Sequence, residues 1–308
     1  MKLTIIMYHY VREIIGSKFP NIKGLEFANF KNQLDYLQNK YSIIKAEDLI
    51  EYAINKKTSL PKNPCYLTFD DGYKDHIEYV LPELKKRKIQ GSFFPASKPI
   101  INHDLLNTNA IQFILASCEN LEKLIKELNT KCIEYGVSED EINKLWLSID
   151  DRDRFDNRSV TYVKRMLQRE LPEEIRSKVT NMLFEKYVGV SQKDFSIDLY
   201  LSKEEVSQLV SEGMYVGSHS HSHYWMNEES LESQKKEIEL SLVFLDKIGA
   251  PTKDWIMCYP NGAYNDDTLS ILRKKKCVVG LTCNVGHGLL KRHKLLELSR
   301  FDTNDFPQ

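Results

Sequence analysis

A parallel α/β barrel carrying a helical insertion is the fold class this chain predicts. Three observations carry that expectation. Short apolar runs alternate with segments of helical period. Polar clusters fall where the apolar runs stop. The alternation lapses once, between about 101 and 200, into helical patterns with few strand signals, and then resumes. In a parallel barrel each strand is followed by a helix, and the chemistry collects at the carboxyl ends of the strands.

The elements follow in order. The apolar run 3–8 reads as the first strand, with His9 at its end. Polar, glycine-containing sequence over 12–26 reads as a loop. Phe30, Leu34, Leu37 and Tyr41 recur at i, i+4, i+7 and i+11, one face of a helix. Residues 42–44 form a candidate strand, and 46–55 a helix with Leu49, Ile50 and Ala53 inward. Leu60-Pro61-Lys62-Asn63-Pro64 breaks the chain before a central strand at 65–69. Two adjacent acids, Asp70 and Asp71, stand at the end of that strand, then Gly72 and a helix over 76–86 that buries Ile77, Val80, Leu81 and Leu84. The next strand is 91–95.

Inside the insertion the helical candidates are 110–135, 139–146, 160–170 and 172–187. Asp150-Asp151-Arg152-Asp153-Arg154 lacks the glycine and terminal glutamate of a calcium loop and reads as a solvated turn. Asn157-Arg158-Ser159 matches a glycosylation sequon, of little meaning in a cytoplasmic chain. Beyond the insertion, Ser202 and Glu205 form a capping box, Val206, Leu209 and Val210 follow, and Gly213 is the stop. A strand at 214–217 runs into Gly217-Ser218-His219-Ser220-His221-Ser222-His223. A helix at 231–248, a strand at 255–258, a turn at 259–262, a helix at 268–275 and strands at 277–282 and 295–301 complete the chain.

Composition narrows the function. With 42% hydrophobic and 28% charged residues in 308, the chain buries a core. Lys plus Arg number 43 against 44 acidic residues, which argues against nucleic acid or an anionic membrane as the main partner. No apolar run approaches the ~20 residues of a membrane span. The start, Met1-Lys2-Leu3-Thr4, leaves no room for a leader before the first strand, so a cytoplasmic protein is expected. The six cysteines are scattered without CxxC or framework spacing and read as reduced core thiols.

Two clusters carry chemistry. Like charges side by side cost energy unless a cation neutralises one, so Asp70 and Asp71 read either as a metal-dependent pair or as a helix cap or surface feature. His219 and His223 are four apart and meet on one face of a turn or first helical turn, while His221 points away. Two imidazoles and one carboxylate leave zinc an open position, the pattern of a hydrolytic rather than a structural site. The aspartate pair is the best donor of the third ligand. The plain alternative is a histidine-rich surface loop.

Thr68-Phe69-Asp70-Asp71-Gly72-Tyr73 resembles the first motif of the polysaccharide deacetylases, the NodB-homology group or carbohydrate esterase family four. His219-Ser220-His221-Ser222-His223 is similar to the family's second motif, His-Ser/Thr-x-x-His, and Tyr259-Pro260-Asn261-Gly262-Ala263-Tyr264-Asn265 to its third. The resemblance covers roughly 1–100 and 200–305. It implies a distorted (β/α)7-type, TIM-like barrel, a single domain over 1–308 interrupted by the insertion. It implies that Asp71, His219 and His223 bind the metal, zinc or another divalent transition metal. It gives Asp70 the role of general base and the backbone N–H of Asn261 that of an oxyanion donor.

Two positions depart from the family pattern. Cys258 stands where an arginine usually orients the base, and the region 295–301 has no histidine to supply the acid. Ile6-Met7-Tyr8-His9 resembles the rearranged subgroup that deacetylates poly-N-acetylglucosamine, where the acid-bearing strand comes first. His9 is therefore the expected general acid, against the alternative of a core histidine. Arg300 is a candidate for the missing arginine or a surface ion pair, and Tyr73 packs on a sugar face or in the core. The expected activity is metal-dependent removal of an N-acyl group, acetyl first, from an amino sugar. Cytoplasmic placement points to a nucleotide- or lipid-linked sugar, or a glycan made on the inner membrane face. The insertion selects substrate or forms a homo-oligomer contact. The rival expectation is a catalytically impaired carbohydrate-binding protein on the same barrel, and an esterase or another sugar amidase is a third.

Overall fold

The structure, a computed structural model, describes residues 1–150 and 156–307. Contacts group the chain into two compact units: one of 1–13, 24–103 and everything from Ile197 on, the other of 14–23 and 104–196.

The sheet of the first unit has nine strands among the described residues, and seven of them form its main path: β1 Lys2–Tyr8, β2 Pro64–Asp71, β3 Ser92–Pro95, β4 Tyr215–Val216, β5 Trp255–Cys258, β6 Cys277–Val285 and β7 Leu298–Asp302. All neighbours among them are parallel. Their order in the sheet follows the chain, and β1 lies between β2 and β7. The two edges, β4 and β5, are tied through Ser218, whose N–H donates to Ile256 O (3.2 Å) and whose carbonyl accepts from Cys258 N (2.9 Å). This is the expected distorted (β/α)7 barrel. Placing the His9 strand first keeps it beside the last strand, as the rearranged arrangement requires.

Parallel strands covered on both faces are apolar throughout, and every residue of β2 is buried. Successive side chains serve two cores. Cys65, Leu67 and Phe69 join Ile6 and Tyr8 under the helices, whereas Tyr66 joins Leu3, Ile5, Ile256 and Leu281 within the barrel. Gly217 is needed for closure: a Cβ there would sit 2.5 Å from Phe94 Cε1 and 2.7 Å from Ile256 O.

The helices of this unit before the insertion are α1 Phe27–Lys40, α2 Ala46–Ala53, α3 Leu81–Arg87 and α4 Ser97–Asn102. The first turn after the aspartates, His76–Val80, is a π-helix rather than the expected α-helix. The second unit holds α5 Asn107–Ala116, α6 Leu121–Glu134, α7 Glu139–Ser148, α8 Arg158–Arg165 and α9 Glu173–Val188, and α10 Gln192–Leu199 leads out of it. The single helix expected over 110–135 is two, because Asn120 accepts from Lys123 N and starts a new helix. Helix α10 was not foreseen. Nor was the grouping of 14–23 with the insertion: Phe19 packs edge-on against Phe113 (4.9 Å) and Phe195 (5.7 Å). Asn157, the sequon residue, caps α8. Of the acidic run 150–154, residues 151–154 lie outside the described residues.

Back in the first unit, α11 Lys203–Ser211 opens with the expected Ser202–Glu205 capping box. Helices α12 Leu231–Lys247 and α13 Asp266–Lys274 complete it. The six cysteines are all unpaired. Among the described residues no helix is long and apolar enough to cross a membrane.

Candidate metal centre

The site forms at the carboxyl ends of β1, β2, β5 and β7 and in the loop after β4. Alternation along β2 turns Tyr66, Thr68 and Asp70 into the barrel, and would turn Asp71 out. Asp71 instead adopts φ +69°. That left-handed backbone is costly for a residue other than glycine, and it brings both carboxylates to one place. Gly72 follows at φ +80°, where a Cβ would lie 2.7 Å from Pro95 Cβ.

The histidines converge through a turn, one of the two forms expected. The segment 219–223 is not helical; Ser220 and His223 both take φ +60°. Glu237 on α12, itself buried, accepts from His221 N (3.1 Å) and Ser222 N (2.6 Å) and pins the turn. The result is the same face: the His219 and His223 rings are 4.8 Å apart. Asp71 Oδ1 lies 3.3 Å from His219 Nε2 and 3.4 Å from His223 Nε2. His221 turns away, its Nδ1 2.8 Å from Ser97 Oγ.

These three groups fit a divalent cation. Asp71 Oδ1 is buried and has no hydrogen bond. His219 Nδ1 lies 2.8 Å from Cys258 O, and a carbonyl only accepts, so Nδ1 carries the proton and Nε2 the lone pair. A lone pair thus faces an unsatisfied carboxylate oxygen in a buried place, an arrangement that calls for a cation between them. Asp71, His219 and His223 can present ligand atoms all within 4.8 Å of one another. A second such cluster, Asp70, His219 and Cys258, already has a cation: the buried Arg300.

Arg300 answers the departure at Cys258. Its Nη1 donates to Asp70 Oδ1 (3.0 Å), and Nη2 lies 2.8 Å from Oδ2. Thr282 O (2.9 Å), Thr68 Oγ1 (3.1 Å) and Cys283 Sγ (3.7 Å) accept its other protons. The Cys258 thiol donates to Asp70 Oδ2 at 3.3 Å. Burial alone would push the Asp70 carboxyl up; the Arg300 guanidinium beside it more than offsets that and holds the group below the usual carboxylate range.

His9 is half-buried, with Nε2 4.0 Å from Asp70 Oδ2. Asn261 lies in the turn after β5 with φ +55°. Tyr73 corrects one expectation. It is fully buried, so it has no face to offer a sugar; its hydroxyl donates to Asp71 Oδ2. Glu237, Thr68 and Thr282 are supports that sequence reasoning missed. Only the capping pattern of α12 could have hinted at Glu237, since Ser230 marks its start.

A barrel with adjacent carboxylates and paired imidazoles at its mouth has the outline of a hydrolase. The polysaccharide deacetylase family model matches residues 57–137 and 139–279, so the chain belongs to the polysaccharide deacetylase family and with it to the carbohydrate deacetylases. Comparison with curated proteins finds no match. Solved structures share the fold. Streptococcus pyogenes deacetylase PplD in complex with acetate is 18% identical with a TM-score of 0.57, over 98% of this chain and 92% of that one. IcaB from Ammonifex degensii is 16% identical with a TM-score of 0.58, over 98% and 91%. The BpsB deacetylase domain from Bordetella bronchiseptica is 13% identical with a TM-score of 0.55, over 98% and 95%.

Proposed function

We propose that this chain is a metal-dependent carbohydrate N-deacetylase, releasing an acyl group, acetyl first, from an amino sugar in a glycan or glycan precursor. The observation that carries the reading is the division of labour between adjacent carboxylates. Asp71 faces two imidazole nitrogens with an unsatisfied oxygen, and Asp70 is held by a buried guanidinium. Asp71, His219 and His223 would hold the ion, zinc or another divalent transition metal. When bound, such an ion lowers the pKa of water and polarises a carbonyl.

The surrounding residues do the rest. Asp70 stays ionised at neutral pH beside Arg300 and is free to take a proton from the attacking water. Arg300 orients it in place of the arginine that Cys258 replaces. His9 protonates the amine as the carbon–nitrogen bond breaks. The Asn261 N–H donates to the oxyanion, a contact worth about 10²–10³ in rate. The same reading places the protein in the cytoplasm, with a nucleotide- or lipid-linked sugar as substrate; the six unpaired cysteines support a reducing compartment.

The test is acetate release from N-acetylamino sugars by the zinc-loaded protein. Asp70→Asn should retain zinc and lose about 10²–10⁴ in rate. Turnover that survives the substitution contradicts the role of Asp70. Bound zinc without turnover on any acylated sugar would instead favour a carbohydrate-binding protein. O-acetyl substrates run alongside separate an amidase from an esterase.

A further inference from the structure

The two oxygens of Asp71 have opposite surroundings. Oδ1 is buried, lacks a hydrogen bond and faces the two imidazoles. Oδ2 accepts from the Tyr73 hydroxyl at 2.5 Å, within the range of a hydroxyl bonded to a carboxylate. Tyr73 is completely buried, so that hydroxyl has no bulk water to turn to. The residue is also held firmly. Its ring stacks on Tyr10 (centroids 4.1 Å) and on Tyr200 (6.0 Å). Its backbone sits between two bonds of 2.9 Å, Lys74 N to Leu199 O and Leu201 N to Gly72 O.

We propose that Tyr73 is a positioning residue for the metal centre: its hydroxyl occupies Asp71 Oδ2, so the carboxylate offers the ion one oxygen rather than two. This inference rests on the metal reading of the same site. The physical gain is selectivity of coordination. A carboxylate free on both oxygens can bind a cation through either or both, and one that binds through both fills a position a hydrolytic site keeps open for water and substrate. A neutral donor suits the task, because it fixes the group without removing its charge. Partners behind a metal ligand typically matter by about 10–100-fold in metal affinity.

Tyr73→Phe keeps the ring and its stacking and deletes only the hydroxyl. Apo protein titrated with zinc or cobalt(II) against a competing chelator should bind about 10–100-fold more weakly in this variant. Its cobalt visible absorption should weaken and shift as the freed Oδ2 adds to the coordination. Tyr200→Leu, which loosens the stack and leaves the Tyr73 hydroxyl, should keep near wild-type affinity and spectrum. Unchanged affinity and spectrum in Tyr73→Phe overturn the inference, as does an equal loss in both variants, which would assign the effect to packing. A Tyr73→Phe chain that fails to fold without metal also overturns it, by making the hydroxyl a folding device. A wild-type protein that binds no metal removes the metal reading itself; wild-type binding that Asp71→Ala abolishes keeps that reading, whatever Tyr73→Phe does.

Discussion

Asp70 and Asp71 are the same side chain one position apart, yet one sits on a guanidinium and the other faces two imidazoles. The difference comes from a backbone angle, φ +69° at Asp71, which sequence does not display. The residue types of the site were legible, because acids at a strand end and histidines four apart are chemical patterns. The partners that orient them were not, because Tyr73 and Glu237 act through side-chain directions, and Thr282 through a backbone carbonyl, that the fold sets. Arg300 was one of two readings until β7 brought it to Asp70. His76 offers a test at this scale. It is buried, its Nε2 lies 3.1 Å from His9 O, and its Nδ1 has no partner. The carbonyl only accepts, so Nε2 carries the proton in the neutral ring, and a second proton on Nδ1 would be stranded. Burial accordingly pushes its pKa from 6.5 down to about 4. The unfolded chain then binds a proton that the folded chain refuses between those values. Stability from this residue is complete above about pH 6.5 and is lost as pH falls toward 4, by about 3 kcal/mol. Urea unfolding across that range should show the loss, and His76→Gln should remove that part of the slope; equal slopes in both proteins would contradict it.

At the scale of elements, strands and capped helices were readable because period and caps are local. The Ser202–Glu205 box starts α11 as read. The break between α5 and α6 was missed because the apolar pattern runs across it, and the Asn120 cap decides it. Of the two forms expected at 219–223, a turn or a first helical turn, the structure has the turn. Left-handed residues at Ser220 and His223, with Glu237 bonded to the turn's N–H groups, give the convergence a helix would have given. The joint between β4 and β5 has little room. Gly217→Ala puts a Cβ 2.5 Å from Phe94 Cε1 and 2.7 Å from a backbone carbonyl, so it should cost about 1–3 kcal/mol. It should also weaken metal binding, because His219 lies two residues on. Equilibrium unfolding and a metal titration measure both, and a variant unchanged in each would contradict this account of barrel closure.

For the whole molecule, strand order equals chain order, and the first strand closes the ring beside the last. That topology was legible from the alternation of strand and helix; the grouping of 14–23 with 104–196 was not, since one short polar loop carries no period. Because the contacts divide into two units, calorimetry should resolve two transitions. Zinc at about 100 times its dissociation constant should raise the barrel transition by about 2.7 kcal/mol and leave the other in place. Both transitions rising together would contradict independent units. All of this depends on which atoms meet the ion. X-ray absorption at the zinc edge reads them directly. The account predicts only nitrogen and oxygen neighbours at about 2.0–2.2 Å, with two imidazole rings in the outer scattering. A sulfur neighbour at about 2.3 Å, which would move the ion to Cys258, or a protein that takes up no zinc at all, would contradict it.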